Sequence, residues 1–275
     1  MPLDKFRSAN RDHWNEAVRV HVASDFYGVN RFLAGESTLL ALDHEEVGDV
    51  SGKRLLHLQC HFGLDTLSWA RSGAEVTGLD FAPAAIEQAR TLASQTGLEA
   101  EFVEADLYDA LVALPGHVGD VDIVYVNVGA LCWLPDVVEW ARICAAFLRE
   151  GGILYVRDVH PLAWCIDEDA TPGQLLLAYP YFLQSEPVYL EGGVDYADST
   201  ASFSNRSTYE WNHHLGEIVT ALIEAGLQIQ FLHEFDWTVY RALPWMVETE
   251  PGVWRLPNGD QRLPLLFSLR ALKPG

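Results

Sequence analysis

The sequence predicts an α/β fold: a doubly wound, mostly parallel sheet of seven strands with an antiparallel last strand. Three observations predict it. Short apolar runs alternate with helical patterns between residues 50 and 160, glycine or proline separates most of these runs, and two more strand-like runs follow a late helix. Because parallel strands need helical crossovers, this alternation indicates right-handed βαβ units.

The first part of the pattern contains three strands and two helices. The expected strands are residues 53–58, 75–79 and 100–103. The expected helices are 64–72, which ends at Gly73, and 84–94, which follows Pro83. Glycine is favoured directly after a helix and proline in its first turn, so both residues support these boundaries.

The remaining elements follow the same logic. Strands 122–126 and 153–156 flank a helix at 135–148, and a helix begins at Asn212, an N-cap residue type, and ends before Gly226. Strands 227–237 and 264–272 complete the sheet. Residues 161–211 break the regular pattern and are rich in Tyr, Phe, Pro and Gly, which favours an aromatic-rich insertion that covers a small-molecule site.

Composition excludes several classes of function. The formal net charge of −21 opposes binding to phosphate backbones, so we expect no nucleic acid partner. No apolar run has the length of a membrane span, and the N-terminus has no signal-peptide pattern, so we expect a cytoplasmic protein with no membrane partner. The cysteines form no C-x-x-C pair, which favours reduced thiols.

The turn after the first strand indicates which cofactor the fold binds. It reads Gln59-Cys60-His61-Phe62-Gly63 and contains one glycine. A dinucleotide site requires G-x-G-x-x-G, because the backbone must wrap closely around a pyrophosphate. An adenosine cofactor without phosphate needs only one close approach of the backbone. The sequence therefore favours a cofactor such as S-adenosylmethionine over NAD.

Polar residues follow most of the predicted strands. Gly63, Asp80, Asp106, Asn127 and His160 fall at carboxyl ends, which share one edge of a parallel sheet and form its ligand crevice. A carboxylate such as Asp80 is suited to a ribose because its oxygens can accept from two hydroxyl groups. The alternatives are a helix cap for Asp80 and a turn former for Asp106.

This combination resembles the class I S-adenosylmethionine-dependent methyltransferases, by motif over residues 50–160 and by topology over 212–275. The family's acidic residue and Gly-x-Gly-x-Gly correspond here to His57, Gln59, His61 and Gly63, so only the last glycine remains. The resemblance implies that Asp80 binds the ribose. The residues it implies as cofactor contacts are Trp14, Gln59, Cys60, His61, Gly63, Asp80, Phe81, Asp106, Leu107 and Asn127.

Within that set, the resemblance implies individual roles. Phe81 packs on the adenine, Asp106 accepts from its N6 amino group, and Asn127 lies near the methionine moiety. The division of the chain follows: one domain, with an N-terminal helical lid segment (1–50), a cofactor-binding core (51–160), an inserted substrate cover (161–211), and a closing helix and strands (212–275).

A histidine near the methyl group would suffice as the general base of methyl transfer. His160 follows the fifth strand, and His213 and His214 open the predicted last helix. Tyr27 is a further candidate and, with Trp14, could close over the methionine end. The alternatives are a loop histidine bonded to the backbone, and aromatic packing of the N-terminal segment on the core.

The cluster His57, Cys60 and His61 contains zinc ligand types, but its spacing matches no usual zinc pattern, so we expect no metal. We expect His57 instead to occupy the space of the missing carboxylate and to bond to a turn amide.

The predicted function is methyl transfer to oxygen or nitrogen of a small acceptor that is aromatic or partly apolar. A homodimer is left open. The alternative is a protein that binds S-adenosylmethionine but catalyses another reaction, such as cyclisation, or senses the cofactor. An NAD-linked dehydrogenase and a nucleic-acid methyltransferase are disfavoured by the turn and by the charge.

Overall fold

A seven-stranded sheet forms the centre of the structure, a computed structural model that describes residues 4–167, 169, 171, 174–192 and 195–275. The strands, in chain order, are β1 (Arg54–Leu58), β2 (Glu75–Asp80), β3 (Ala100–Glu104), β4 (Val121–Asn127), β5 (Leu148–Val159), β6 (Val188–Glu191), β7 (Ser207–Glu210), β8 (Gln228–Phe235), β9 (Trp237–Thr238), β10 (Val247–Glu250), β11 (Val253–Arg255) and β12 (Leu266–Leu272).

Helices precede the sheet and connect its strands. They are α1 (Lys5–Ala23), α2 (Val29–Leu33), α3 (Ala41–Val47), α4 (Leu64–Arg71), α5 (Pro83–Thr96), α6 (Ala110–Ala113), α7 (Val137–Phe147) and α8 (Leu215–Glu224). None of the helices in the described ranges is long and apolar enough to cross a membrane.

The strand order of the central sheet is β3-β2-β1-β4-β5-β12-β8. Strands β1 to β5 pair in parallel, and β12 is antiparallel to both of its neighbours, β5 and β8. This confirms the predicted doubly wound, mostly parallel sheet with an antiparallel last strand. The smaller pairs lie outside it: β6 with β7, and β10-β11-β9.

Several boundaries differ from the sequence-based prediction, among them the start of β5, which lies at Leu148 and not at residue 153. Strand β5 continues three residues past its predicted end at Val156, because its ladder with β12 extends from Ile153 to Val159. The last helix starts at Leu215 and is capped by His214, whose Nδ1 accepts from the Glu217 amide at 3.1 Å. Asn212 is therefore not the N-cap.

Alternation along the strands buries both faces of the sheet. Leu56, Val124 and Leu154 pack in one cluster with residues of α7 and α8. Their neighbours Leu55 and Ile123 face the opposite cluster, which contains residues of α3 and α4. Because successive side chains of a strand point to opposite faces, this continuous apolar pattern produces three layers, helix on sheet on helix.

A buried ion pair joins the N-terminal segment to the sheet. Arg157 of β5 donates from Nε and Nη2 to the two carboxylate oxygens of Asp43 in α3, at 2.7 and 3.0 Å. Asp43 is fully buried and Arg157 is 3% exposed. The two parallel hydrogen bonds fix the guanidinium plane and leave Nη1 without a partner.

Segments before and after the core cover the carboxyl ends of the strands. Helix α1 packs on β7, where the side-chain amide of Asn10 donates to the Tyr209 carbonyl and accepts from the Tyr209 amide. The predicted irregular insertion thus contains the β6–β7 hairpin, and this hairpin is fixed against the N-terminal helix.

We expect Asp43→Ala to reduce the free energy of unfolding by about 3–5 kcal/mol, because it leaves the charge of Arg157 buried and uncompensated. Urea denaturation monitored by circular dichroism measures this loss. Asp260→Ala removes an exposed partner of Arg262 and serves as the control. Equal, small losses in both variants would contradict a structural role for the buried pair.

Candidate functional site

A cavity of about 1430 Å³ lies at the carboxyl ends of the parallel strands. Its walls come from the turn after β1, the ends of β2 and β4, helix α1, and the segments 161–211 and 238–263. Every residue that the sequence predicted as a cofactor contact lines this cavity, and so does Tyr27. The fold therefore brings the predicted set together at one place.

The three histidines predicted as bases lie elsewhere. His160 is buried, its Nε2 contacts Glu234 at 2.8 Å, and its Nδ1 accepts from the Leu162 amide at 3.1 Å. Both nitrogens are engaged, and His160 is not among the residues that line the cavity. The alternative interpretation, a loop histidine bonded to the backbone, agrees with the contact between His160 and the Leu162 amide.

His213 and His214 are also corrected by the structure. His213 is buried, with Nε2 donating to the Leu134 carbonyl at 2.6 Å and Nδ1 facing Glu217. His214 uses Nδ1 to cap α8. Neither residue lines the cavity. Helix α8 packs against α7, and both histidines are bonded to neighbours at its start instead of facing the cavity.

Tyr27 lines the cavity, but its hydroxyl contacts the hydroxyl of Tyr196. Burial, followed by the neighbouring Tyr196, raises the pKa of Tyr27 well above its ordinary value. A phenol of that kind holds its proton, so the structure supports the covering role of Tyr27 and not a role as base.

The turn after β1 has left-handed backbone at three positions, and only one of them is occupied by glycine. Gln59 and His61 have φ of 57° and 49°, and Gly63 has φ of 78°. These are the three positions at which the resembled family carries glycine. Left-handed backbone at the two non-glycine residues costs roughly 1–2 kcal/mol each. Only Gly63 is sterically obligatory, since a Cβ there would lie 2.7 Å from the Phe102 ring.

Side-chain contacts compensate for this strain. The amide Nε2 of Gln59 donates to the Ala130 carbonyl at 2.8 Å, in the loop after β4. The ring of His61 bonds to His21 of α1 at 2.9 Å. Asp158 holds the loop after β4 in turn, accepting from the backbone amides of Ala130 and its two neighbours.

Asp80 organises the turn and the start of α5 together. Its Oδ2 accepts from the His61 amide at 2.8 Å and its Oδ1 from the Ala82 amide at 2.9 Å. Each oxygen retains a second lone pair. Burial raises the pKa of Asp80 to about 6, although the backbone amides oppose this rise. The N-cap of α5 is Ala82, with no side-chain cap hydrogen bond, so the alternative of Asp80 as the helix cap is wrong, and its ribose role stays a prediction.

A buried network replaces the acidic residue of β1. Asn127 donates from Nδ2 to Asp65, so its Oδ1 is an acceptor, and His57 must donate to it from Nε2. The Nδ1 of His57 then accepts from the Thr66 hydroxyl at 2.8 Å. Burial lowers the pKa of His57 to about 4, so the ring is neutral. The prediction that His57 bonds to a turn amide is wrong, because both of its ring nitrogens bond to side chains.

This network contains a carboxylate, but it comes from helix α4 and not from strand β1. Asp65, in the first turn of α4, lines the cavity and accepts from Asn127 and from the Thr38 hydroxyl. Burial raises the pKa of Asp65 above its ordinary value. The sequence analysis missed this residue, although it lies two positions after the retained Gly63.

Three buried polar atoms of cavity-lining residues have no partner among the described residues: the acceptors Oε1 of Gln59 and Oδ1 of Asn212, and the donor Nη1 of Arg157. Such atoms are costly unless a ligand bonds to them. An acceptor and a cationic donor together match a ligand that carries both an ammonium group and a carboxylate.

At the other end of the strand edge, Asp106 bonds to the N-terminal helix. Its Oδ1 accepts from Arg7 of α1 at 2.8 Å and from the Tyr108 amide at 3.0 Å. Burial raises the pKa of Asp106, and the Arg7 guanidinium opposes that rise. Asp106 is therefore a turn former, as the alternative predicted, and it also faces the cavity.

Comparison with known proteins shows which family and which solved structures this chain resembles. Residues 55–152 match the methyltransferase domain family. Residues 55–152 of this chain are therefore similar to a methyltransferase domain. The ubiquinone biosynthesis O-methyltransferase of Xanthomonas euvesicatoria is 31% identical over 108 residues, which are 39% of this chain and 44% of that protein. The matched region is thus less than half of the relative.

Solved structures share the methyltransferase fold over most of the chain. An S-adenosylmethionine-dependent methyltransferase from Mesorhizobium loti superposes with a TM-score of 0.57 at 21% identity, covering 87% of this chain and 99% of that one. Geranyl diphosphate C-methyltransferase from Streptomyces coelicolor, solved with S-adenosylhomocysteine, gives a TM-score of 0.58 at 12% identity and covers 99% of both chains.

The cofactor of this family is S-adenosylmethionine, and the residues of the cavity fit it. The methionine end carries an ammonium group and a carboxylate, which match the free Oε1 of Gln59, the Asp65 carboxylate and the free Nη1 of Arg157. The ribose hydroxyls match the remaining lone pairs of Asp80. The cavity thus contains donors and acceptors of the required types, although the turn after β1 lacks most of the family's glycines.

We expect cofactor affinity to fall as pH falls through the pKa of Asp80, about 6. The ionised carboxylate accepts from both ribose hydroxyls, whereas the protonated form has lost one acceptor. S-adenosylhomocysteine should therefore bind about tenfold more weakly at pH 5 than at pH 7, as measured by isothermal titration calorimetry.

The 2′-deoxyribose analogue of S-adenosylhomocysteine distinguishes the contribution of Asp80 to this pH dependence from that of the other carboxylates. It lacks one of the hydroxyl groups that Asp80 would bind, so its affinity should depend much less on pH. Asp80→Ala should remove most of the difference in affinity between the two ligands, even if the variant also loosens the turn. The same pH dependence for both ligands would contradict the ribose role.

Proposed function

We propose that this methyltransferase transfers a methyl group from S-adenosylmethionine to an oxygen or nitrogen atom of a small molecule bound in the same cavity. One observation carries the proposal: a single cavity has the strand-end polar residues at one side and aromatic side chains of the covering segments at the other. When bound, the cofactor supplies an electrophilic methyl group on a sulfonium, and the protein positions the nucleophile in line with it.

The polar side of the cavity would hold the cofactor. Asp80 accepts from the ribose hydroxyls, and Asp106, whose Oδ2 has no hydrogen bond among the described residues, accepts from the adenine amino group. Gln59 and Asp65 accept from the ammonium group, and the free Nη1 of Arg157 donates to the carboxylate. The cofactor is cationic at sulfur, so buried carboxylates also favour it electrostatically.

The aromatic side of the cavity would hold the acceptor. Eight rings from the two covering segments contribute to its walls: Trp164, Tyr179, Tyr189, Tyr196, Phe203, Trp211, Tyr240 and Trp254. Rings supply a large apolar area with little conformational freedom, which suits a flat, partly apolar molecule. The name of the Xanthomonas relative, an O-methyltransferase, supports oxygen as the first acceptor atom to test.

The N-terminal helix would close the cavity and exclude water from the reaction. Trp14 makes edge-to-face contacts with His61 at 5.3 Å and with Trp133 at 5.2 Å. It therefore joins α1 to the turns after both β1 and β4, which supports the lid and the packing interpretations of this residue at once.

We expect the purified protein to form S-adenosylhomocysteine in amounts equal to a methylated product when it is incubated with S-adenosylmethionine and a panel of phenols, hydroxy acids and aromatic amines. Liquid chromatography with mass spectrometry measures both compounds. Asp80→Ala should lower turnover strongly at subsaturating cofactor, because it removes the ribose acceptor.

Glu104→Gln is the matched control, since Glu104 is an exposed carboxylate paired with Asp80 in the β2–β3 register. It should retain turnover. Tight cofactor binding without S-adenosylhomocysteine formation across the panel would contradict methyl transfer and favour the alternative of a protein that uses the cofactor for another reaction.

A further inference from the structure

Three side chains from distant parts of the sequence form one hydrogen-bonded chain that ends at the cavity. His21 of α1 lies between the other two members: its Nε2 contacts Oδ2 of Asp195 at 2.9 Å, and its Nδ1 contacts Nε2 of His61 at 2.9 Å. His21 is fully buried and Asp195 is 8% exposed. All three residues line the cavity, and none of these contacts was expected from the sequence.

The direction of the hydrogen bonds follows from the carboxylate. Oδ1 of Asp195 accepts from the backbone amides of Ala197 and Asp198, both at 2.9 Å. Burial alone would raise the pKa of Asp195, but the bond from His21 and these amides bring it below its ordinary value, so the group is ionised. An ionised carboxylate only accepts, and His21 must therefore carry its proton on Nε2.

The remaining protons are then determined for neutral rings. With its proton on Nε2, His21 accepts at Nδ1, and His61 must donate from its own Nε2. Nδ1 of His61 is left with a lone pair, and no bond to it is found within the described residues. Burial, followed by the charge that His21 could carry, holds the pKa of His61 well below its ordinary value, so the ring is neutral.

His61 also lies at the middle of the proposed cofactor site. It follows Gln59, which we assign to the methionine end, and its backbone amide donates to Asp80, which we assign to the ribose. The sulfur atom of the cofactor joins these two moieties. A side chain at this position of the turn is therefore suited to meet the acceptor atom.

We propose that His61 is the general base of the methyl transfer, that His21 and Asp195 are its positioning residues, and that the acceptor is a hydroxyl compound of phenol type that is neutral when it binds. This inference rests on the proposed function and deepens it. Three binding-site features support it: the free lone pair, its place in the turn, and the directed hydrogen bonds behind it.

The proton transfer balances within this chain. The acceptor O–H bond breaks, its proton moves to Nδ1 of His61, and the electron pair stays on the oxygen that attacks the methyl group. As the oxygen–carbon bond forms, the bond from the methyl carbon to the cofactor's sulfur would break and its electron pair would stay on sulfur, which gives neutral S-adenosylhomocysteine. The Nε2 proton of His61 moves to Nδ1 of His21, where the positive charge lies beside the Asp195 carboxylate. The arrangement resembles a carboxylate–histidine pair with a second imidazole inserted.

The surroundings favour proton transfer over metal binding. The ring nitrogens of His21 and His61 point at each other at hydrogen-bond distance, and no group of His, Cys, Asp or Glu converges as metal ligands would within the described ranges. Tyr27 stacks on His21 at 5.0 Å, and Tyr196 lies 5.1 Å from it. Burial raises the pKa of both phenols, so neither competes as a base.

Histidine tautomers test the inference without any ligand. In ¹⁵N-histidine NMR of the full chain, His21 and His61 should both carry their proton on Nε2. In Asp195→Asn, the two backbone amides require the amide oxygen, so the NH₂ group faces His21 and both tautomers should reverse. Protonation of Nδ1 of His61 in the unchanged protein would overturn the proposal, whether or not methyl transfer is observed.

A series of phenols of decreasing pKa tests the catalytic role. For phenols that are neutral at the assay pH, Asp195→Asn should lower kcat by about 10²–10⁴-fold, while the affinity for S-adenosylhomocysteine stays within a few-fold. For nitrophenols that are already ionised, the loss should nearly disappear, because no proton has to be removed.

Asp198→Asn is the matched control, since Asp198 belongs to the same segment but uses its carboxylate only on Thr200. It should behave like the unchanged protein throughout the series. An equal loss in Asp195→Asn for neutral and ionised phenols would overturn the proposal, because it would indicate a structural role. Methylation of hydroxy acids or aromatic amines but of no phenol would overturn the acceptor class and leave the proposed function in place, whereas methylation of no acceptor in the panel would overturn the proposed function.

Discussion

The left-handed backbone at Gln59 and His61 is the constraint on which the rest of the site depends. These residues turn the chain from β1 into α4 at positions where glycine would be free of strain, so the conformation persists only because other contacts stabilise it. Gln59 reaches the loop after β4, His61 reaches α1, and Asp80 of β2 accepts from the His61 amide. The strained turn thereby becomes the junction of three segments that surround the cavity.

Electrostatics at this junction follow from burial. A carboxylate is absent from β1, where a neutral His57 connects Thr66 to Asn127, and the carboxylate enters from α4 as Asp65. Placing the charge on the helix keeps it near the helix N-terminus, where backbone amides favour an anion. The result is a cavity with a carboxylate on α4 that suits a cationic ligand, while His57 inside β1 stays uncharged.

The covering segments belong to the site as much as the strands do. Asn10 and Tyr209 join α1 to the β6–β7 hairpin, and His21 and Asp195 join the same helix to the same inserted segment. These contacts hold the aromatic walls over the strand ends. One packed interface would then support water exclusion, acceptor binding and the proposed proton relay. A substitution in the insertion should therefore change the rate of methyl transfer as well as the affinity for the acceptor.

The sequence by itself determined the parallel strands of the sheet and the residues at their ends, because hydrophobic periodicity and the turn residues Gly63, Gly73 and Pro83 act locally. It also determined the cofactor class, since the glycine-poor turn and Asp80 lie within one βαβ unit. Only the tertiary structure decided which histidine faces the cavity. His160 and His214 are engaged by neighbours of the late strands and of α8, whereas His21 and Asp195, separated by most of the chain, meet because α1 packs on the insertion. Contacts between distant segments depend on how helices and strands pack against each other in the fold. A local pattern of residue types contains no information about that packing.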